Sequence, residues 1–322
     1  MLSRRASVTA AGLAVAALVS APALAGSFVV DLTHPIPTFK PMANDPGKPD
    51  LAQPWLDSKA IPSFGQQTVL SYFEFPTNQG HFDLGTLTLS EHHGTHMDTP
   101  GHFVNNAETQ DPDNPTADKR KLAHLLGAED LIGPIVLIDI SGRVQTELDK
   151  NGGQPSPDPT VTDFSEDSPN VVSADDIAAI SDKIDNGIWL VVHSGWSRFF
   201  FEGVDFATDP FVNGWKFPGL SVAAIDKLIE IEDQKGVHIG GIVSEVLGVE
   251  TGENSIGEDD KWTNSWYGHV VGLQRGWKFV ENATNLELLT QANPDSCTVI
   301  VGALKHTRGG GGPARVMAMC EN

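Results

Sequence analysis

Short apolar runs rich in β-branched residues recur along the chain, and each is bounded by Gly, Pro, Asn or Asp. Such runs predict β-strands, because branched side chains suit an extended backbone and turn residues end it. Eight segments have this pattern: residues 28–32, 84–89, 132–140, 188–192, 237–243, 277–280, 298–304 and 315–319.

Helical periodicity is less frequent. It occurs in three segments: residues 119–126, 174–184 and 222–232. Ser173 followed by Asp176 is typical of a helix N-terminus, and Ser221 precedes the third segment in the same way. Residues 145–170 are rich in Pro, Asp, Ser and Gly, which predicts a surface excursion. Because strands outnumber helices at irregular spacing, the pattern predicts an α/β domain with a mixed sheet.

The first 25 residues have the pattern of an export signal. Arg4 and Arg5 give a positive start to an apolar run, and residues 23–25, Ala-Leu-Ala, form a cleavage pattern. An uncleaved membrane anchor is the alternative, but the run is shorter than the roughly 20 residues that a spanning helix needs. We expect a signal peptide at 1–25, a single domain at 26–322 and a periplasmic or secreted protein. The paired arginines also resemble a twin-arginine signal.

The charge balance limits the partners of the protein. The chain has 42 acidic residues against 21 Lys and Arg, which gives a formal charge of −21. This charge repels phosphate backbones and anionic lipids, so we expect neither nucleic acid nor the membrane as a partner. A solvated acidic surface explains the composition without any further function.

The two cysteines, Cys297 and Cys320, flank a predicted hairpin. A turn centred near Arg308 would place them opposite each other on its two strands. Because an exported chain meets an oxidising compartment, we predict a disulfide between them. Two separate buried thiols are the alternative, since the register depends on the turn type.

Histidines are concentrated in residues 90–103. Four side chains there have even spacing, so an extended backbone would project them to one side: His92, His96, Asp98 and His102. A helix would turn Asp98 away from the histidines, and Gly94 and Pro100 disfavour a helix. We therefore expect an extended segment whose potential ligands converge.

Two imidazoles and a carboxylate, from His92, His96 and Asp98, would form a three-ligand site with room for water. Such a site is typical of a catalytic metal, and Zn²⁺ or Mn²⁺ suits these ligands. The alternatives are histidines in a polar surface loop or a passive binding patch. The segment differs from the helical two-histidine motif of zinc proteases, so peptide hydrolysis by that route is not predicted.

The same segment resembles the signature of the cyclase family, which includes bacterial kynurenine formamidases and isatin hydrolases. The residues that carry the resemblance are His92, Gly94, Thr95, His96, Asp98, Pro100 and His102. Further family landmarks are similar to residues 31–36, 194–197, 217–221 and 309–315. The resemblance covers about residues 29–319. It implies the family fold, a swivelling β/β/α-type domain with a mixed sheet.

The resemblance also implies ligands far along the chain. Formamidase-like members have a His twelve positions before a Glu, and His269 and Glu281 match this pair. One or two ions of Zn²⁺ or Mn²⁺ would then be held by His92, His96, Asp98, His269 and Glu281. Asp98 would be able to bridge two ions. Isatin-hydrolase-like members tend to lack the Glu, so its presence favours the two-metal type.

A chemical mechanism follows from this resemblance. A bound divalent ion lowers the pKa of water to about 7 and polarises a carbonyl, so no serine or cysteine nucleophile is needed. His102 matches the catalytic histidine of the family, which would carry a proton from the attacking water to the leaving atom. A further ligand is the alternative role for His102. His93 receives no role.

Family substrates are small acyl compounds, often aromatic or cyclic amides, so the resemblance implies cleavage of C–N bonds other than peptide bonds, as in arylformamidases. Phe39, Phe73, Phe103 and Trp196 are candidates for an apolar pocket wall, and each fits a core position equally well. Kynurenine breakdown is cytoplasmic, whereas this chain is predicted to be exported. A periplasmic amidase, lactonase or cyclic-amide hydrolase is therefore favoured over a formamidase acting on N-formylkynurenine.

Two other functions are compatible with the sequence. One is a secreted metal- or ligand-binding protein without catalysis, which the presence of every matched ligand and of His102 disfavours. The other is a cyclase acting on a polyketide-like acid. The resemblance implies a homo-oligomer, a dimer or a tetramer, that acts on a small-molecule substrate.

Overall fold

A computed structural model describes residues 26–36, 69–77, 80–103, 121–200, 209–256 and 266–321, with the backbone alone for 69–88 and 255–256. The predicted signal peptide lies outside these residues, and the single domain stays a prediction. Among the helices in the described part of the chain, none is both long enough and apolar enough to cross a membrane.

The described residues form ten strands. They are β1 Ser27–Asp31, β2 Val69–Thr77, β3 Gly80–Thr88, β4 His96–Asp98, β5 Ile132–Asp139, β6 Trp189–His193, β7 Gly241–Ser244, β8 Lys278–Glu281, β9 Cys297–Ala303 and β10 Gly311–Glu321. The α-helices are α1 Ser141–Asp149, α2 Ala174–Ala179, α3 Val222–Lys235, α4 Gly252–Ile256 and α5 Glu287–Thr290. A π-helix spans His269–Leu273. Turns of 3-10 helix are Ala123–Leu125, Ala128–Asp130, Ser181–Lys183, Trp196–Phe199, Asn213–Trp215 and Pro294–Ser296.

Seven strands close into a barrel in the order β10-β4-β8-β7-β6-β5-β9, because β9 pairs with both β5 and β10. Strands β5 to β8 are parallel to one another, and the remaining pairs are antiparallel. The first strand, β1, pairs with the C-terminal half of β10, and β2 pairs with β3 in a separate hairpin. The predicted α/β fold with a mixed sheet is confirmed.

Alternation along the barrel strands divides the apolar side chains into two cores. On β6, Trp189 and Val191 belong to the core inside the barrel, and Leu190 and Val192 belong to the core under the helices. Helix α3 covers the outer face of the parallel strands with residues such as Leu228. Parallel strands are buried on both faces in this way, which explains their nearly continuous apolar sequence.

The helix predictions fared unequally. Helix α3 begins after Ser221, whose Oγ accepts a hydrogen bond from the Ala224 N–H at 3.1 Å, as predicted. The capping box of Ser173 and Asp176 is also present. The helix that it starts is shorter than predicted: it ends at Ala179, and a separate 3-10 turn, Ser181–Lys183, follows.

The helix predicted at 119–126 is wrong over its described part. Only Ala123–Leu125 forms a 3-10 turn there. The backbone N–H of Ala123 bonds to the Gly309 carbonyl, and the Lys121 carbonyl accepts a bond from Gly101. Tertiary hydrogen bonds of this segment thus replace those of a helix.

The surface excursion predicted at 145–170 begins too early, because α1 extends to Asp149. Val144 and Leu148 are buried four residues apart on this helix. Their i, i+4 spacing is a helical signal that the neighbouring Gly- and Pro-rich sequence obscures.

The predicted disulfide is confirmed. Cys297 and Cys320 are bonded to each other, and they stand directly opposite in the β9–β10 register. Arg308 has a φ of 63° in the connecting turn. The hairpin geometry inferred from the spacing is therefore the one that forms.

Candidate metal centre and substrate cavity

The histidine-rich segment is held by hydrogen bonds that a straight strand would not make. Gly94 has a φ of 63°, which reverses the chain ahead of β4. Thr95 Oγ1 donates to the Asn282 carbonyl at 2.6 Å, and Asn282 Nδ2 donates to the Gly94 carbonyl at 2.9 Å. The extended backbone predicted from parity is therefore limited to β4, and His92 and His102 lie on flanking turns.

The side chains nevertheless converge as predicted. His92 Nδ1 lies 2.6 Å from Asp98 Oδ1, and His96 Nε2 lies 3.4 Å from the same oxygen. Because His96 stands opposite Glu281 in the β4–β8 register, its Nε2 also lies 3.4 Å from Glu281 Oε2. Strand pairing thus brings together residues that are 185 positions apart in the sequence.

His269 completes the group from the π-helix. Its Nε2 lies 2.9 Å from Glu281 Oε1 and 3.2 Å from Asp98 Oδ2. Its Nδ1 faces Glu250, at 3.0 and 2.9 Å from the two carboxylate oxygens. Insertions of π-helix often occur at functional sites, and this one directs an imidazole towards two buried carboxylates.

The five predicted ligands therefore form two overlapping groups. Ligand atoms of His92, His96 and Asp98 lie within 4.8 Å of one another, and so do those of Asp98, His269 and Glu281. Asp98 is common to both groups, as expected of a residue that bridges two ions. Three imidazoles and two carboxylates are a donor set that zinc and manganese both accept.

Asp98 shows that the group fits a cation. Its Oδ1 is buried and receives no well-aligned hydrogen bond from a described residue, although His92 Nδ1 lies 2.6 Å and His96 Nε2 3.4 Å from it. A buried carboxylate oxygen without a well-aligned donor costs free energy, and a bound cation would offset that cost. The group thus offers ligands of the kind that bind metals and a buried charge that a cation would stabilise.

The charges of the centre depend on one another. Burial acts to raise the pKa of Asp98, but the imidazoles of His102 and His92 hold it well below its usual range. Burial also opposes charge on His96, yet hydrogen bonds to Asp98 and Glu281 raise its pKa to about 10. Burial and the Asp98 charge act to raise the pKa of Glu281, and bonds to His269 and His96 lower it to about 2. Without a cation, protons on the imidazoles balance the two carboxylates.

His102 stands at the rim of this group. Its Nε2 lies 4.0 Å from Asp98 Oδ2, and its ring packs against that of His92 at 4.1 Å between centroids. Burial lowers the pKa of His102 to about 4, although the Asp98 charge opposes the shift. The ring is therefore neutral at pH 7 and free to accept a proton. His93, which received no role, is buried.

A cavity of about 270 Å³ opens beside the five ligands and His102. Its apolar wall is formed by Phe103, Leu247 and Trp266. The Trp266 ring meets the His269 ring edge to face at 5.0 Å, so the wall borders the ligands directly. The volume suits a ligand of one or two small rings.

The aromatic predictions for this wall are right in part. Phe103 lines the cavity. Trp196 is fully buried in the core under the helices, where its indole N–H donates to the Phe211 carbonyl at 2.8 Å. Phe39 and the side chain of Phe73 lie outside the described residues. Trp196 therefore occupies a core position, which was the alternative given for each of these aromatic residues.

Three residues of the site were missed. Leu247 and Trp266 follow no periodic pattern, although Trp266 stands three positions before His269. Glu250 is fully buried and accepts a hydrogen bond from the backbone N–H of His269 as well as facing its ring. An acid next to the apolar Val249 was the only signal that could have identified it.

Comparison with known proteins assigns the chain to a family. A family model described as "Putative cyclase" matches residues 30–242, about two thirds of the chain, so the chain belongs to the cyclase family. The match ends before His269 and Glu281, which the geometry alone places at the site. No curated protein matches the chain in sequence.

Solved structures share the fold. An isatin hydrolase bound to the product analogue thioisatinate is 20% identical with a TM-score of 0.59, covering 92% of this chain and 93% of that one. Isatin hydrolase A from Labrenzia aggregata, bound to benzyl benzoate, is 21% identical with a TM-score of 0.59, covering 92% of this chain and 94% of that one. Isatin hydrolase A from Ralstonia solanacearum is 20% identical with a TM-score of 0.59, covering 92% of this chain and 92% of that one. At these identities the likeness concerns the fold.

Proposed function

We propose that the protein is an exported, metal-dependent hydrolase that cleaves an amide, cyclic amide or ester bond in a small, aromatic substrate. The observation that carries this proposal is the buried carboxylate of Asp98. It is common to two groups of possible ligands, and its Oδ1 has imidazole nitrogens close by but receives no well-aligned hydrogen bond from the described residues. Membership of the cyclase family and the isatin hydrolase fold support the same chemistry.

One or two ions of Zn²⁺ or Mn²⁺ would be held by His92, His96, Asp98, His269 and Glu281. When bound there, the ion supplies Lewis acidity towards a carbonyl oxygen and lowers the pKa of water to about 7. Two of the histidines are oriented by contacts at the ring nitrogen that points away from the centre. His96 Nδ1 lies 2.8 Å from the Gly94 carbonyl, and His269 Nδ1 faces Glu250, so each ring turns Nε2 towards the centre.

His102 is the proton carrier in this proposal. Its neutral imidazole lies beside the ligands without belonging to either ligand group, so it can take a proton at Nε2 and return it to the leaving nitrogen or oxygen. Phe103, Leu247 and Trp266 would hold a planar apolar substrate and exclude bulk water from the reacting bond.

Export rests on the predicted signal peptide at 1–25, and the Cys297–Cys320 disulfide is consistent with an oxidising compartment. We also expect a homo-oligomer that acts on a small molecule, without a nucleic-acid or membrane partner. Neither expectation affects the chemistry at the metal centre.

Hydrolysis assays test the proposal. The protein is stripped with a chelator, reloaded with Zn²⁺ or Mn²⁺, and offered aryl formamides, isatin and simple lactones. We expect turnover of at least one substrate class that disappears on stripping and returns on reloading. Stoichiometric metal binding without turnover of any of these compounds would instead support a secreted binding protein.

A further inference from the structure

A second cavity, of about 330 Å³, lies near the opposite end of β8 from Glu281. Its charged walls come from β8, from the 3-10 turn Ala128–Asp130 and from three loops. We call it the lysine cavity, and its charged and polar lining consists of Lys121, Asp130, His238, Arg275 and Lys278. Pro100 also lines it, so the turn between β4 and His102 separates the lysine cavity from the metal centre.

Lys278 is the residue of this cavity that requires an explanation. Its side chain is buried, with 4% of the residue exposed. Strand alternation puts it on the side of Val280, inside the barrel, where its Nζ lies 5.8 Å from the centre of the Trp189 ring. Within the described part of the chain, its Nζ donates no hydrogen bond and has no carboxylate within 4.0 Å.

The other cations of the cavity are paired. Lys121 Nζ lies 3.2 and 3.1 Å from the two carboxylate oxygens of Asp130. Arg275 Nε donates to Glu232 at 2.5 Å, and its Nη2 donates to Asp233. Among the described residues, Lys278 therefore has no carboxylate of its own, and Asp130, which lines the same cavity, is already paired with Lys121.

An anion in the cavity would stabilise this ammonium. Burial lowers the pKa of Lys278 to about 8, with Asp130 acting against the shift and Lys121 adding to it. The amine is still mostly protonated at pH 7. The Trp189 ring gives this charge a weak cation–π contact but no hydrogen bond, and a charge-assisted hydrogen bond to an oxyanion would offset the remaining cost of burial.

We propose that the lysine cavity binds a small oxyanion, a carboxylate, phosphate or sulfate group, with Lys278 Nζ as its main hydrogen-bond donor. Lys121 and Arg275 add positive potential around the same space. The size of the cavity admits the anionic group together with a few further atoms. The site is distinct from the metal centre, because Lys278 and the five metal ligands line different cavities.

Titration calorimetry with inorganic phosphate, sulfate and acetate, each against chloride at equal ionic strength, tests this site. We expect saturable binding of at least one ion to the wild-type protein. Lys278→Met should weaken that binding about tenfold or more, because it removes a hydrogen bond to a charged group without adding strain. Preference for acetate would indicate a carboxylate ligand, and preference for phosphate or sulfate a tetrahedral one.

Two controls separate this site from others. Lys227→Gln removes a half-buried surface lysine that pairs with Glu230, and it should leave binding unchanged. Asp98→Asn, which is expected to empty the metal centre, should also leave it unchanged, so the result is independent of the proposed hydrolase. Binding that Asp98→Asn abolishes, or that Lys278→Met retains in full, overturns the proposal.

A measurement on the wild-type chain covers the case in which Lys278→Met fails to fold. Reductive methylation with ¹³C-formaldehyde keeps the charge of each lysine and gives it an NMR resonance. We expect one resonance with a pKa near 8. Saturating sulfate or acetate should raise that pKa, because an anion stabilises the ammonium form. A pKa that no oxyanion shifts would show that the cavity holds only water.

Discussion

Two equally buried carboxylates, near the ends of the two barrel strands that flank β8, differ in what surrounds them. Glu245, directly after β7, accepts hydrogen bonds at Oε2 from the backbone N–H groups of Ser194 and Gly195, at 2.7 and 2.6 Å. Ser197 Oγ donates to its other oxygen at 3.1 Å. Asp98, on β4, faces imidazoles and the Glu281 carboxylate, and its Oδ1 receives no well-aligned hydrogen bond from a described residue.

In our proposal this difference separates a structural carboxylate, Glu245, from a metal ligand, Asp98. Glu245 also faces one imidazole, His193, whose Nδ1 lies 3.1 Å from Oε2, but the donors from the turn after β6 are fixed and stabilise its charge without a cation. The imidazoles around Asp98 can lose their protons and offer lone pairs instead. Equal burial therefore identifies neither role, and the number of fixed donors distinguishes them. Changes around Asp98 should alter cation binding and turnover, whereas changes at Glu245 should alter stability.

The largest effect is expected from His102→Asn. Loss of the proton carrier should lower turnover about 10²–10⁴-fold. The metal content should remain that of the wild type, because His102 is outside both ligand groups. Kinetics and elemental analysis of the same preparation check this, with His124→Asn, outside both cavities, as a control. Loss of the metal together with turnover would make His102 a ligand and contradict its assigned role.

Glu250→Gln tests a residue that contacts a proposed ligand, His269, without being a ligand itself. Glu250 holds the ring of His269 through Nδ1 and its backbone through N–H. The amide keeps the shape but loses the charge, so we expect metal affinity to fall about 10–100-fold. Competition with a chromophoric chelator measures the change, with the exposed Glu230→Gln as a matched control. An affinity equal to that of the wild type would mean that Glu250 is merely a core residue.

Metal affinity should also depend on pH in a defined direction. The pKa of His96 in the metal-free chain is raised to about 10, so this ring carries a proton at pH 7 that a metal must displace. The Glu281 carboxyl, with a pKa of about 2, is already ionised and releases none. Affinity should therefore rise about tenfold per pH unit for each proton displaced between pH 6 and 9. Calorimetry in buffers of different ionisation enthalpy counts the protons, and a pH-independent affinity contradicts the charge balance.

Glu245→Gln should have the smallest effect on the metal centre. The amide can keep its oxygen towards the backbone N–H groups of Ser194 and Gly195, but it loses the charge that strengthens these bonds and the second oxygen, to which Ser197 Oγ donates. We expect a loss of about 1–3 kcal/mol in the free energy of unfolding, with an unchanged metal stoichiometry. Urea denaturation of the metal-free protein measures the first quantity. A variant of wild-type stability that binds less metal would erase the distinction between the two carboxylates.

The sequence predicted those parts of the site that local pattern or family resemblance could encode. His92, His96 and Asp98 are close in the chain, so their convergence needed only a short extended segment. The distant pair His269 and Glu281 came from the resemblance, and the β4–β8 register then explains why Glu281 arrives opposite His96. Cys297 and Cys320 were predictable because a hairpin fixes which residues face each other.

Other features depend on tertiary contacts that no local pattern contains. Glu250 acts through a ring nineteen residues away, and Trp266 becomes a cavity wall only because the π-helix turns beside it. Trp196 was a candidate for that wall but packs in the outer core. The position of Lys278 in β8 directs its side chain to the inside of the barrel, although lysine side chains normally lie on the surface. This conflict is visible only once the strands are arranged in the barrel.

The most direct test of the account is elemental analysis of the purified protein beside its Asp98→Asn variant. Both are incubated with Zn²⁺ or Mn²⁺ and dialysed, and circular dichroism confirms that both are folded. Because Asp98 is common to both ligand groups, the account predicts one or two ions per wild-type chain and none in the variant. A folded wild-type protein that retains neither metal, or a variant that retains as much as the wild type, would contradict it.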